Sequence, residues 1–73
     1  MITDEQLDNW FTYHPPGPLQ QGRYVVLRQA ARDFAGVLRD ETPPGADQTA
    51  ALRKLRECVM TANAAIACHV EDL

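Results

Sequence analysis

The chain has little of what usually holds a very small protein together. It carries two cysteines, Cys58 and Cys68, in 73 residues. They fall ten residues apart on what reads as one helix, so their Cα atoms stand roughly 15 Å apart, beyond the reach of a disulfide. Two histidines, His14 and His69, occur without a C-x-x-C or H-x-x-x-H pair, which makes a poor zinc site. A single core of this size rarely supplies more than roughly 3–5 kcal/mol. With disulfide and metal set aside, association of copies is the stabilising device left. No apolar run approaches bilayer length, and the stretch Met1-Ile2-Thr3-Asp4-Glu5 is acidic where a secretory signal is basic. The expectation is a soluble intracellular protein with no membrane partner. Catalytic signatures are missing too: no glycine-rich phosphate loop, no G-x-S-x-G and no helical pair of metal ligands. A non-enzyme without cofactor or metal is expected.

What is present is unevenly distributed. Net charge is −3, which argues against general affinity for DNA. Yet all seven basic residues, Arg23, Arg28, Arg32, Arg39, Arg53, Lys54 and Arg56, lie between positions 23 and 56, against four acids there, Asp33, Asp40, Glu41 and Asp47. The middle of the chain is locally basic. Six of the seven are arginines, whose planar fork matches phosphate and stacks on bases; solvated faces of two amphipathic helices would give the same pattern.

The periodicity predicts an all-α chain of one domain, residues 1–73, with a short first helix and then a long antiparallel helical hairpin that assembles into a homo-oligomer. Thr3-Asp4-Glu5-Gln6 has the form of a capping box, followed by Leu7, Trp10 and Phe11 at helical spacing. This helix must end by His14, because Pro15, Pro16 and Pro18 stiffen residues 13–18 into an extended turn. From about Leu19 to Arg39 the apolar set Tyr24, Leu27, Ala31, Phe34, Ala35 and Leu38 recurs every three or four residues. Pro43, Pro44 and Gly45 then reverse the chain within a connector over 40–47. A third helix is expected from an N-cap at Asp47 to about Val70, with the stripe Leu52, Leu55, Val59, Ala62 and Ile66 widened by Ala51, Cys58 and Ala65. Cys58 reads as a small core hydrophobe. The run Ala62-Asn63-Ala64-Ala65-Ile66-Ala67 is apolar nearly all round, which one partner helix cannot cover. It predicts a subunit interface, with Asn63 either fixing its register or idle in solvent.

The residues that could meet a ligand cluster around the proline turn. Tyr13, held stiffly beside Phe11 and His14, can offer a ring face to a nucleobase, a contact worth roughly 1–3 kcal/mol. Arg28, on the next helix, can pair with a phosphate. The residues alone leave open that Tyr13 and His14 pack on their own helices, that His69 merely favours a helix C-terminus, and whether Arg53, Lys54 and Arg56 form a second anion site or only solubilise theirs.

Phe11-Thr12-Tyr13-His14-Pro15-Pro16, Gln21-Gly22-Arg23-Tyr24 with Leu27-Arg28, Arg32-Asp33-Phe34-Ala35, Ala51-Leu52-Arg53-Lys54-Leu55-Arg56 and Ala62-Asn63-Ala64-Ala65-Ile66-Ala67 together run through nearly the whole chain. In this combination the sequence resembles the small phage anti-CBASS sponge proteins, whose helical-hairpin domain also occurs in a phage sponge against the Thoeris defence. The resemblance implies a homohexamer that sequesters cyclic dinucleotides such as 3′,3′-cGAMP in the host bacterial cytoplasm, with cyclic trinucleotides as a second ligand class in some members. It further implies that Tyr13 stacks on a base and Arg28 meets phosphate, with Phe11, His14 and Arg23 as further ligand-binding residues. Arg28 stands where some relatives carry lysine. Ala30 and Ala31 offer no hydroxyl where a second ligand would want one. The rival expectation is a structural or protein-binding helical hairpin, with Trp10, Phe11 and Tyr13 facing a protein partner.

Overall fold

The computed structural model describes residues 1–69. Three helices make up the described chain, with no strand among these residues: α1, Asp4–Trp10; α2, Pro18–Glu41; and α3, Ala46–Ala67. The two long helices pack antiparallel as the expected hairpin, and α1 meets it only near its open end.

Each helix boundary has a local cause. At α1 the Thr3 hydroxyl accepts from the Gln6 N–H at 3.1 Å while the Thr3 N–H donates to Gln6 Oε1 at 2.8 Å, so the capping box forms. Helix α2 starts at Pro18 rather than after it. Proline suits the first helical position because the N–H it lacks would have no helical partner there. The extended turn is therefore shorter than expected, ending at Gly17, whose N–H donates to Gln20 Oε1 at 3.0 Å. Helix α3 is capped at Gly45 and not at Asp47. Gly45 takes φ 157°, which a side chain would strain, and this lets the chain re-enter a helix at once; Asp47 falls inside the first turn. The expected end at Val70 lies outside the described residues; α3 closes at Cys68, whose N–H donates to the Ala64 carbonyl at 2.8 Å.

Two side chains tie the hairpin at its ends. At the closed end Gln48 Nε2 donates to the Arg39 carbonyl at 2.9 Å, the Thr42 carbonyl at 3.0 Å and Thr42 Oγ1 at 3.1 Å, answering carbonyls that α2 leaves unpaired where it stops. At the open end Gln20 Nε2 reaches the Ile66 carbonyl at 3.4 Å.

Between these ties Tyr24, Leu27, Ala31, Ala35 and Leu38 of α2 face Ala51, Leu52, Leu55, Val59, Ala62 and Ile66 of α3, all half-buried. Three expected members of the seam fall outside it. Phe34, at 52% exposure, lies about 60° off the centre of the α2 stripe at 100° per residue, and no third layer covers that flank. Cys58 is exposed for the same reason, about 80° off the α3 stripe. Ala65 is likewise open in the single chain. Asn63 is half-buried, and its Oδ1 has no hydrogen-bond partner among the described residues.

No side chain of the described residues is fully buried. The accessible surface is 6277 Å², whereas a compact monomer of 8.2 kDa exposes about 4,500 Å². The excess of about 1,700 Å² exceeds the roughly 800 Å² that each partner contributes to a standard interface. The radius of gyration agrees: 15.5 Å, against about 11 Å for a globular chain of this length. As a single chain the hairpin is open and extended.

Candidate ligand-binding site

The turn between α1 and α2 presents its rings outward. Phe11, which ends α1 by donating its N–H to the Leu7 carbonyl at 3.0 Å, is 82% exposed, and Tyr13 is 80% exposed. Neither ring packs on its own helices to any extent, so the intramolecular alternative for Tyr13 does not hold. His14 behaves differently. Its Nε2 donates to the Asn9 carbonyl at 2.6 Å, which ties the turn to α1.

Asn9 is the pivot of this corner, because its Nδ2 also donates to the Cys68 carbonyl at 2.9 Å, and Cys68 Sγ lies 3.9 Å from the Asn9 carbonyl. Among the described residues, the hydrogen bonds that tie α1 to the hairpin are those between Asn9 and Cys68. Asn9 was not legible as a positioning residue, since its partner sits 59 residues away. Thr12 Oγ1 closes the turn by donating to the Asp8 carbonyl.

The arginines divide between two flanks of α2. Arg28 and Arg32, one turn apart, join Arg56 of α3 around a groove of 490 Å³ whose floor includes Ala31, Ala35, Leu52, Leu55 and Val59. Arg23 lies five residues before Arg28, about 140° around the helix, and lines a separate groove of 620 Å³ with Leu19, Val26 and Ile66. Arg28 and Arg23 therefore do not act together within one chain. Arg28 also stands ten residues, about 15 Å of helical rise, beyond the first residue of α2, where the turn that carries Tyr13 enters.

Electrostatically the groove is open for an anion. The sole ion pair among the described residues joins Arg39 Nε to Asp40 at 2.9 Å. It draws the Asp40 carboxyl below its ordinary range, first through the hydrogen bond from Arg39, then through the charges of Arg39 and the more distant Arg32. Arg28, Arg32 and Arg56 have no carboxylate partner among the described residues. The four-residue spacing from Arg28 to Arg32 is visible in the sequence, but the register of α3 that brings Arg56 to the same groove is not.

A protein-family model, the Acb2/Tad1 hairpin domain, matches residues 3–67. The chain belongs to this family. The Acb2/Tad1 hairpin proteins are phage sponges that bind cyclic nucleotides and are generally not enzymes. The match covers all three helices, so the resemblance read from the sequence holds, and with it the helical hairpin of the Acb2/Tad1 domain. No curated protein and no solved structure matches the chain. No helix among the described residues is long and apolar enough to cross a membrane.

Proposed function

We propose that this Acb2/Tad1 hairpin protein sequesters cyclic dinucleotides such as 3′,3′-cGAMP in the cytoplasm of the host bacterium, and so starves the CBASS effector of its activating signal. The whole chain, 1–73, acts as one hairpin domain, and no bond of the ligand is broken. Tyr13 stacks on a base and Arg28 meets a phosphate, with Phe11 beside the ring. Arg23 contributes from the second groove, and His14 sets the turn from which Tyr13 projects.

What supports this reading is an exposed ring in the turn before α2 and an unpaired guanidinium about 15 Å of helical rise past the start of that helix. A small ligand gripped by both needs the ring of one copy and the arginine of another. A cyclic dinucleotide has two bases and two phosphates in approximate two-fold relation, which a two-fold interface meets with duplicate sets. The large exposed surface of the single chain supports assembly, and we take the homohexamer as the working state. Cyclic trinucleotides form the secondary ligand class, weakened here by the absence of hydroxyls at Ala30 and Ala31.

Calorimetry of the purified protein against a panel of cyclic di- and trinucleotides tests the proposal, with chromatography of the recovered ligand. Saturable binding of a cyclic dinucleotide and its release intact are expected, and Arg28→Glu should abolish the heat. Degraded ligand would indicate an enzyme. The second reading, a protein-binding hairpin, draws on the exposed apolar surface; it predicts that Arg28→Glu is tolerated and that no cyclic nucleotide produces heat.

A further inference from the structure

The geometry points to the arginine-rimmed groove between α2 and α3 as the seat of helix α1 from a second copy of this chain. The two surfaces match in charge, chemistry and spacing. The groove carries Arg28, Arg32 and Arg56 over an apolar floor, with no carboxylate partner for any of the three among the described residues. Helix α1 carries Asp4, Glu5 and Asp8 and no basic residue, and Leu7, Trp10 and Phe11 beside them are all exposed. None of its acids has a basic partner among the described residues either.

Spacing makes the match specific. Asp4 and Asp8 are four residues apart on one face of α1, as are Arg28 and Arg32 on α2, so both pairs repeat at about 6 Å along their helices. Between the acids Leu7 shares the face, and the floor of the groove offers it Ala31, Ala35 and Leu55. The seven residues of α1 run about 10 Å, and the α2 wall of the groove, 28–35, runs about the same.

The occupant must come from another molecule. In its own chain α1 is pinned to the Cys68 carbonyl through Asn9, and Met60, the nearest groove residue on α3, lies eight residues, about 12 Å, back along that helix. The surface that a single chain leaves open, about 1,700 Å² more than a compact monomer exposes, is ample for such an exchange. The inference rests on the reading that copies associate, but it needs no ligand.

Sedimentation velocity of the full chain, without nucleotide, tests it by charge exchange. Asp8→Lys alone and Arg32→Glu/Arg56→Glu alone should each weaken assembly by about tenfold or more, because like charges then face each other across the contact. An equimolar mixture of the two variants should recover wild-type assembly, since every α1 then meets a groove of opposite sign. Circular dichroism of each variant confirms that the helices persist. Trp10, the sole tryptophan and 47% exposed in the single chain, supplies a second readout: its emission should shift to the blue as wild-type protein assembles and stay red in either variant alone. Wild-type assembly by both variants, or a mixture that fails to recover, would overturn the assignment of α1 to this groove while leaving association itself standing. A wild-type chain that stays monomeric at every concentration would overturn both.

Discussion

Tyr13→Ala separates a binding role for the ring from a structural one more cleanly than any other single change. The side chain is 80% exposed and makes no hydrogen bond among the described residues. Its removal should therefore alter unfolding free energy by no more than about 0.5 kcal/mol, the range of ordinary surface substitutions. Binding is another matter. One ring stacked on one base is worth about 1–3 kcal/mol, a loss of about 5- to 160-fold in affinity. If the ligand lies on a two-fold axis, each substitution removes two rings at once, and the loss rises to about 2–6 kcal/mol, or about 30-fold to beyond 10,000-fold.

Titration calorimetry with 3′,3′-cGAMP reads this directly, with thermal melting of the same samples as the control for folding. Tyr13→Phe keeps the π face and should stay within a few fold of wild type. Affinity unchanged in Tyr13→Ala, while Arg28→Ala binds weakly, would refute stacking as the source of base recognition and leave only the phosphate contact. An equal loss in Tyr13→Ala and Tyr13→Phe would instead point to the hydroxyl.

Three further outcomes follow from the fold itself. Gln48→Ala should destabilise the chain by about 1–2 kcal/mol in chemical denaturation at fixed protein concentration, since three hydrogen bonds at the closed end lose their donor; Gln48→Glu should cost more, because a carboxylate would then face carbonyl oxygens. Gly45→Ala should cost about 1–3 kcal/mol, from the φ of 157° rather than from lack of room, as nothing lies near the added Cβ; an unchanged melting temperature would show that the connector relaxes freely. For Asp40, a carboxyl held below its usual range, any stabilisation is present above the unfolded value and is lost as pH falls through the folded one. Because Asp40 and Arg39 are both exposed and screened by salt, Asp40→Asn should leave the acid limb of the stability profile where it is, and a clear acid-side shift would contradict that.

How much of this could be read from the sequence depends on the range of the interaction concerned. The Thr3–Gln6 box and the helical stripes on α2 and α3 are set by neighbours three or four residues away, and they appear where periodicity places them. The errors cluster where two local rules compete. Asp47 has the right chemistry for an N-cap, but Gly45 reaches the required backbone two residues earlier, and the helix starts as soon as it can. Pro18 reads as a breaker when it follows Pro15 and Pro16, yet it is also a favoured first helical residue, and no donor is lost by letting it begin α2.

Cys58 and Phe34 show a different limit. Their periodicity is sound, but burial at the edge of a stripe needs a third layer, and the single chain has none to offer. The same deficit explains why the site was only half legible. Tyr13 stands out because proline stiffens its surroundings, and Arg28 because of its place on the next helix, which runs uninterrupted from Pro18 to Glu41. Within the single chain the arginines of the groove and the acids of α1 have no partners of opposite charge among the described residues. The half-buried Asn63 shows the same limit: the sequence leaves it either fixing register across an interface or idle in solvent, and within the single chain its Oδ1 has no partner among the described residues.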